Sequence, residues 1–301
     1  MSAKKIFWDE AVSNLLLMNS KYRIKKLTVL LILALFLFSH PILASSVHRY
    51  HDEEVERSVE INSYVPSFFI KNERLVLYEK PNTPMPQEGY PVLFLLHGAS
   101  QYPFSWFFPF NLWSVHQTFF AQKALEAGFF VIAPSSGRPI RPGPHAWSSF
   151  VETVDESEDL QLFQSLFTWF EDRSDMLDVN HIFCAGFSSG GFMTSRLAKV
   201  YPDRFSGVLV HSGTDADSIT FTDFGPEFDC ESPQEYPMNH PPTLIVHGEQ
   251  DGLVPFECGH HLFEELQFHN IDSTLLTDEN KGHIWLSSFS DEMISWFQSY
   301  L

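Results

Sequence analysis

Gly186-Phe187-Ser188-Ser189-Gly190-Gly191 is a Gly-x-Ser-x-Gly turn, and its flanks say how it folds. Upstream, His181-Ile182-Phe183-Cys184-Ala185 is a short apolar run of the kind that forms a buried parallel strand. Downstream, residues 191–200 are helix-forming and contain no proline. A strand, this turn and a helix together make a nucleophile elbow. The sharp turn forces the Ser188 backbone into a strained region and lifts its hydroxyl clear of the sheet. Gly186 and Gly190 are then required, because a side chain at either place would clash with the neighbouring strand or helix. The pattern alone also fits a plain Gly/Ser loop; the strand and helix around it favour the nucleophile.

Apolar runs alternate with helical stretches along the rest of the chain. Strands are expected at 74–78, 91–98, 129–134, 207–211, 243–247 and 273–276, besides the elbow strand. Helices are expected at 117–127, 157–170, 260–268 and 290–300, besides the elbow helix. Gly128 closes the first of these, and Ser157 is placed to cap the second, with acidic residues in its first turn. This alternation implies right-handed crossovers and an α/β fold, a mostly parallel sheet covered by helices on both faces. Sites in such sheets lie at the carboxyl ends of the strands. His97-Gly98, Ser188 and Asp251 each fall just past one of those ends.

A serine hydroxyl needs a base to take its proton, and the base needs an orienting carboxylate. The strand at 243–247 runs into Gly248-Glu249-Gln250-Asp251-Gly252, which puts Asp251 in the turn where the acid belongs. An Asx turn before Gly252 is the ordinary alternative, Glu249 the local rival and Asp278 the distant one. The base follows the last strand in Lys281-Gly282-His283, where His283 is the only histidine between that strand and the C-terminus. The oxyanion donors are expected from the backbone N–H groups of Ser189 and, after His97-Gly98, of Ala99. Trp147 reads equally as a lining of the substrate cleft and as a packed core ring. This arrangement requires no metal and no cofactor.

The N-terminus is of a different composition. Lys21, Arg23, Lys25 and Lys26 precede an apolar run from Leu27 to Phe38, and Ile42-Leu43-Ala44 offers a small residue at a cleavage point. This reads as a secretory signal peptide over residues 1–44, followed by one catalytic domain over 45–301. The run is short of the ~20 residues that span a bilayer, which favours cleavage and export over an uncleaved membrane anchor. Because the basic region comes so late, Met18 is an alternative start. The destination is outside the cell or the periplasm, without stable membrane insertion once the signal is gone.

Removing residues 1–44 takes away six Lys/Arg and two Asp/Glu, which moves the net charge from −19 to −23. So acidic a surface repels nucleic acid, anionic membrane faces and polyanionic partners, and charge says nothing finer than that. With 30 phenylalanines the chain can fill a large core and still line an apolar cleft. Cys184 reads as a buried apolar residue in the elbow strand. Cys230 and Cys258 flank the acid segment and could pair in an exported protein, although spacing alone leaves their geometry open. No Cys/His spacing suggests a zinc site, and His260-His261 fall on a helix surface.

Leu95-Leu96-His97-Gly98-Ala99-Ser100-Gln101, taken with Ala185 to Thr194, resembles a group of secreted α/β-hydrolases: the polyhydroxybutyrate depolymerase-like, feruloyl and acetylxylan esterases. In that group the first motif usually reads Leu-His-Gly-Cys-x-Gln, and Ala99 stands where Cys is common. The second commonly ends Gly-Gly-x-Met, as Gly190-Gly191-Phe192-Met193 does. His247-Gly248 with Asp251, and Gly282-His283, are similar to the group's acid and base segments. Over roughly residues 74–301 the resemblance implies an α/β-hydrolase fold, an ester-cleaving Ser188–His283–Asp251 triad and, as partner, a small-molecule or polymer-derived ester. The nearest rival is a serine peptidase of the prolyl-oligopeptidase type, on the same catalytic core but with an accessory propeller for which this chain has no room. A catalytically silent binding protein on that fold is the rival of another class.

Overall fold

In the computed structural model, Val92, Phe94 and Leu96 face one side of a strand and Leu93 and Leu95 the other, and all five are wholly buried. A strand apolar on both faces must be covered twice, which is the physical origin of the three-layer architecture. The structure describes residues 57–58, 67–72, 74–99, 112–136, 146–222, 225–230 and 235–301. The expected signal segment, residues 1–44, lies outside them. The described residues belong to one unit, Asp52–Leu301.

In chain order the strands are β1 (Arg57–Ser58), β2 (Ser67–Lys71), β3 (Arg74–Glu79), β4 (Tyr90–Leu96), β5 (Phe130–Pro134), β6 (Leu177–Phe187), β7 (Gly207–His211), β8 (Ile219–Thr222), β9 (Gly225–Phe228), β10 (Thr243–Gly248) and β11 (Ser273–Asp278). The helices are α1 (Leu112–Glu126), α2 (Glu158–Glu171), α3 (Ser189–Val200), α4 (Phe256–Phe268) and α5 (Ser290–Gln298). Nine strands form the main sheet in the order β1-β2-β3-β5-β4-β6-β7-β10-β11, parallel from β5 to β11 and antiparallel from β1 to β5. The remaining pair, β8 and β9, is a separate hairpin.

Helices α2 and α3 pack on the face presented by Val92, Phe94 and Leu96, while α1 and α5 pack on the face of Leu93 and Leu95. Helix α4 covers Val210 and Ile245 on the two strands further along. Phe94 sits at the centre of the first layer, its ring 5.2 Å from Phe163 and 5.3 Å from Phe170. Among the described residues no helix is long and apolar enough to cross a membrane.

Helix α1 begins at Leu112 rather than at 117, and two further elements begin earlier than their residues suggest, each for a local reason. Strand β6 starts at Leu177, because its pairing with β4 jumps from Pro91–Asp178 to Val92–Ile182 and residues 179–181 bulge out of the ladder. Helix α4 starts at Phe256, with Gly259 in its first turn. A glycine discourages a helix reading, but a Cβ there would run into Nδ1 of the buried His247 ring. The register matters most at the carboxyl ends, where Leu96 pairs with Gly186, Phe187 with His211, and His211 with Val246. The four central strands therefore end level, and the loops leaving them meet.

Candidate active site

Between β6 and α3 the chain turns at Ser188, whose φ of 53° and ψ of −119° place a non-glycine residue in a strained region. Such a backbone costs about 1–3 kcal/mol and persists only where its surroundings impose it. The Ser188 N–H is tied to the His211 carbonyl at 2.8 Å, and the Ser188 carbonyl accepts the first helical bond from the Phe192 N–H at 3.0 Å. The flanking glycines make the crossing possible. A Cβ on Gly186 would collide with the Gly190 carbonyl, and one on Gly190 would collide with the Leu96 carbonyl and lie 2.7 Å from that of His97.

His283 reaches the serine from the loop after β11. Its Nε2 lies 2.9 Å from Ser188 Oγ and its Nδ1 2.6 Å from Asp251 Oδ2. A carboxylate only accepts, so the ring proton sits on Nδ1, and Nε2 is left to accept from the serine hydroxyl. Asp251 is held by the turn it starts: the N–H groups of Leu253 and Val254 both donate to Oδ1 at 2.9 Å. His247 Nε2 stands 3.4 Å from the same Oδ2. Burial pushes the Asp251 carboxyl up, but the hydrogen bonds from His247, His283 and the Val254 N–H outweigh it and hold the group well below the usual carboxylate range. The acid stays ionised.

The loops of acid and base are laced together. The Gln250 N–H donates to the Lys281 carbonyl at 2.8 Å, and its side-chain amide donates to Glu279 O at 3.0 Å. The rival carboxylates are engaged elsewhere: Glu249 accepts from Thr277 Oγ1 at 2.8 Å, and Asp278 accepts from the Asn280 N–H at 3.0 Å, both at the surface.

Facing the serine is the turn after β4. A Cβ on Gly98 would stand 3.3 Å from that of Ser188, so this turn passes directly beside the nucleophile, and Ala99 on it is exposed. Ser189 opens α3, and the first N–H groups of a helix have no intrahelical acceptor. Trp147 is a packed ring. Its indole is only 2% exposed, its Nε1–H donates to the His97 carbonyl at 2.9 Å, and its ring packs 5.8 Å from that of Phe163. Of the two sequence readings, the packed one holds: an indole whose N–H must be satisfied is buried against a turn that supplies the acceptor.

Two histidines have places that the sequence reading did not assign them. His211, wholly buried at the end of β7, stacks on Trp285 with ring centroids 4.6 Å apart and accepts the Leu286 N–H at Nε2, 2.8 Å away. Burial, reinforced by the His247 and His283 rings and opposed by Asp251, holds His211 well below the usual histidine range, so it stays neutral. His247, also fully buried, donates from Nε2 to the Val254 carbonyl at 3.1 Å. Both stand at the carboxyl end of a strand, and that position was their one legible signal.

Cys230 and Cys258 are bridged, with Cα atoms 4.7 Å apart, and Thr214 Oγ1 donates to the Cys258 carbonyl at 2.8 Å. Cys184 is free and buried, its thiol pushed up to about 12 by burial. His260 and His261 are only partly buried on α4, within 4 Å of Glu264. Among the described residues no cluster of three or more His, Cys, Asp or Glu forms a metal site.

Comparison with known proteins places this chain in a family. The chain is 27% identical to the poly(3-hydroxyoctanoate) depolymerase of Pseudomonas fluorescens over 288 residues, which is 90% of this chain and 96% of that protein. It is 32% identical to feruloyl esterase B of Thermothelomyces thermophilus over 125 residues, 35% of this chain and 42% of that protein. Among solved structures, the S-formylglutathione hydrolase of Agrobacterium tumefaciens superposes with a TM-score of 0.59 at 14% identity, covering 83% of this chain and 100% of that one, which speaks to the α/β-hydrolase fold. The model of the prolyl oligopeptidase family matches residues 125–301. The chain belongs to the prolyl oligopeptidase family, a group of serine hydrolases built on the α/β-hydrolase fold.

Proposed function

We propose that this chain is an exported serine esterase that cleaves carboxylic esters through an acyl-enzyme on Ser188. The observation that carries the reading is the unbroken chain Asp251 Oδ2–His283–Ser188 Oγ, with links of 2.6 and 2.9 Å, at the level end of the sheet. In this reaction the hydroxyl oxygen attacks the ester carbonyl while His283 Nε2 takes its proton. The imidazolium that forms is stabilised by Asp251, whose own proton affinity is too low to take the proton from it. The amides of Ala99 and Ser189 hold the tetrahedral oxyanion. His283 returns the proton to the leaving alcohol and then activates water, which clears the acyl group and restores Ser188.

The near full-length similarity to a depolymerase of a hydroxyalkanoate polyester supports an ester of that type or one derived from such a polymer. A peptide-cleaving activity is the second reading, favoured by the family match over residues 125–301. Export after removal of residues 1–44 rests on the basic and apolar runs of the N-terminus. A p-nitrophenyl ester series assayed beside peptide nitroanilides separates the two chemistries. Ester turnover by the wild type that Ser188→Ala abolishes is the expected result. No ester turnover by folded wild type, or equal turnover by the variant, would sink the reading, as would fluorophosphonate labelling of any residue other than Ser188.

A further inference from the structure

Trp147 makes two hydrogen bonds, one to each side of the proposed oxyanion hole. Its main-chain N–H donates to Ser189 Oγ and its indole Nε1–H to the His97 carbonyl, both at 2.9 Å. Ser189 carries one of the two assigned donor amides, and His97 lies two residues before Ala99, which carries the other. One residue thus ties the turn after β4 to the start of α3, across the nucleophile.

The turn itself has little freedom left. His97 Nε2 accepts the Ser136 N–H at 3.1 Å, so the ring proton is on Nδ1, which donates to the Gly98 carbonyl at 2.7 Å. In a trans peptide the C=O and the following N–H point in opposite directions. With the Gly98 carbonyl turned to the His97 ring, the Ala99 N–H is aimed away from it. The His97 carbonyl, taken by Trp147, is likewise removed from the site. A further amide, Gln117 Nε2, fixes the Leu96 carbonyl at 3.1 Å.

Trp147 is held in turn from behind. The Ser148 N–H donates to Asp159 Oδ2 at 2.8 Å, and Arg196 Nε donates to the Ser149 carbonyl at 2.6 Å. Asp159 is buried beside Arg74, 3.2 Å away, and Arg74 also donates to the Ser136 carbonyl. The bonds close a ring that runs from Arg74 through Asp159, Ser148, Trp147 and His97 to Ser136 and back. A closed ring of buried polar contacts fixes geometry that isolated side chains cannot.

We propose that Trp147 is a positioning residue for the oxyanion hole: it sets the spacing between the Ala99 and Ser189 amides, and the Arg74–Asp159 pair holds it in register. The proposal rests on the acyl-transfer reading above. A positioning role acts on the transition state, where the oxyanion exists, and leaves the ground-state ester bound as before.

Trp147→Phe keeps a ring in the core and deletes the Nε1–H. Loss of one oxyanion donor typically costs about 10²–10³ in kcat, and displacing a donor costs less, so a fall of about ten- to a hundredfold is expected with KM within about twofold. Affinity for an alkyl trifluoromethyl ketone, which forms a tetrahedral oxyanion on the serine, should fall by the same factor as kcat/KM. Ser189→Ala, which removes only the acceptor of the Trp147 N–H at the start of α3, should lower kcat a few-fold with KM unchanged in a protein that still folds, its melting temperature lowered by no more than a few degrees. That variant carries the test if Trp147→Phe does not fold. Unchanged kcat in both folded variants, or a rise in KM alone, overturns the proposal while wild-type turnover leaves the esterase reading standing. No turnover by the wild type removes the reading and this proposal together.

Discussion

The carbonyl of His211 accepts the Ser188 N–H at 2.8 Å while the ring of the same residue accepts the Leu286 N–H, also at 2.8 Å. One buried histidine therefore braces the strained turn at Ser188 through its backbone and the loop that carries His283 through its side chain. His211→Phe retains a ring to stack on Trp285 and removes the acceptor. A buried N–H left unsatisfied costs about 1–3 kcal/mol. Urea unfolding should show a loss of that size. Activity at saturating ester should also fall, about tenfold, because Leu286 lies three residues beyond His283; wild-type activity in a destabilised variant would show that the brace serves folding alone.

Asp251 is the carboxylate that meets His283, and the alternative acids point elsewhere. Asp251→Asn keeps the shape but offers a side-chain amide where the imidazole N–H needs an acceptor, which turns the ring to the wrong tautomer. The expected loss in kcat is about 10⁴-fold. Glu249→Gln and Asp278→Asn, assayed on the same ester, should stay within about twofold of wild type. A large loss in either would move the acid role away from Asp251.

Acid stability follows from two histidines kept neutral by the fold. Burial lowers His211 well below 6.5, and burial with the nearby Lys199 lowers His240 to about 4, against a weaker pull from the Pro241 carbonyl. Both folded values lie below the unfolded one, so below about pH 6.5 the unfolded chain binds more protons than the folded chain. Their contribution is fully present above pH 6.5 and is lost as the pH falls toward 4. Over that range each group steepens the loss of stability with falling pH by up to about 1.4 kcal/mol per pH unit, one proton's worth. Unfolding free energies measured from pH 8 to 4 test this, and His211→Phe should reduce the slope by about one proton. A slope unchanged in that variant would mean His211 is not neutral by compulsion of the fold.

Local sequence carried the three residues of the proposed catalytic chain and little of what surrounds them. Ser188, Asp251 and His283 were legible because each follows an apolar strand, and the ends of adjacent parallel strands must converge. Trp147, His97 and His211 owe their places to partners 42 to 75 residues away, and no local pattern encodes such a pairing. Trp147 is the clearest case. Its composition allowed a cleft wall or a core ring, and what decides is whether an acceptor for its indole N–H stands within reach, which the turn at His97 supplies. The bulge at residues 179–181 was hidden for a similar reason: it is a property of the pairing between β4 and β6 rather than of either strand.

The bridge between Cys230 and Cys258 fixes the segment that carries the β8–β9 hairpin to the first turn of α4. The hairpin packs Ile219 and Phe228 against Phe192, one turn into α3, and Val254, in the turn that cages Asp251. It therefore touches both the nucleophile helix and the acid turn. Closing a loop of 28 residues' separation removes about 3.5 kcal/mol of unfolded-state entropy at 25 °C. Replacing Cys230 and Cys258 together by Ser, so that neither thiol is left unpaired, should lower the unfolding free energy by about that amount. Because Val254 donates an N–H to Asp251, a loosened hairpin should also reduce kcat at temperatures well below unfolding, and dithiothreitol should do the same to the wild type but not to the double variant. Equal stability and equal kcat in the two proteins would show that the packing around Phe192 holds the hairpin without the bridge.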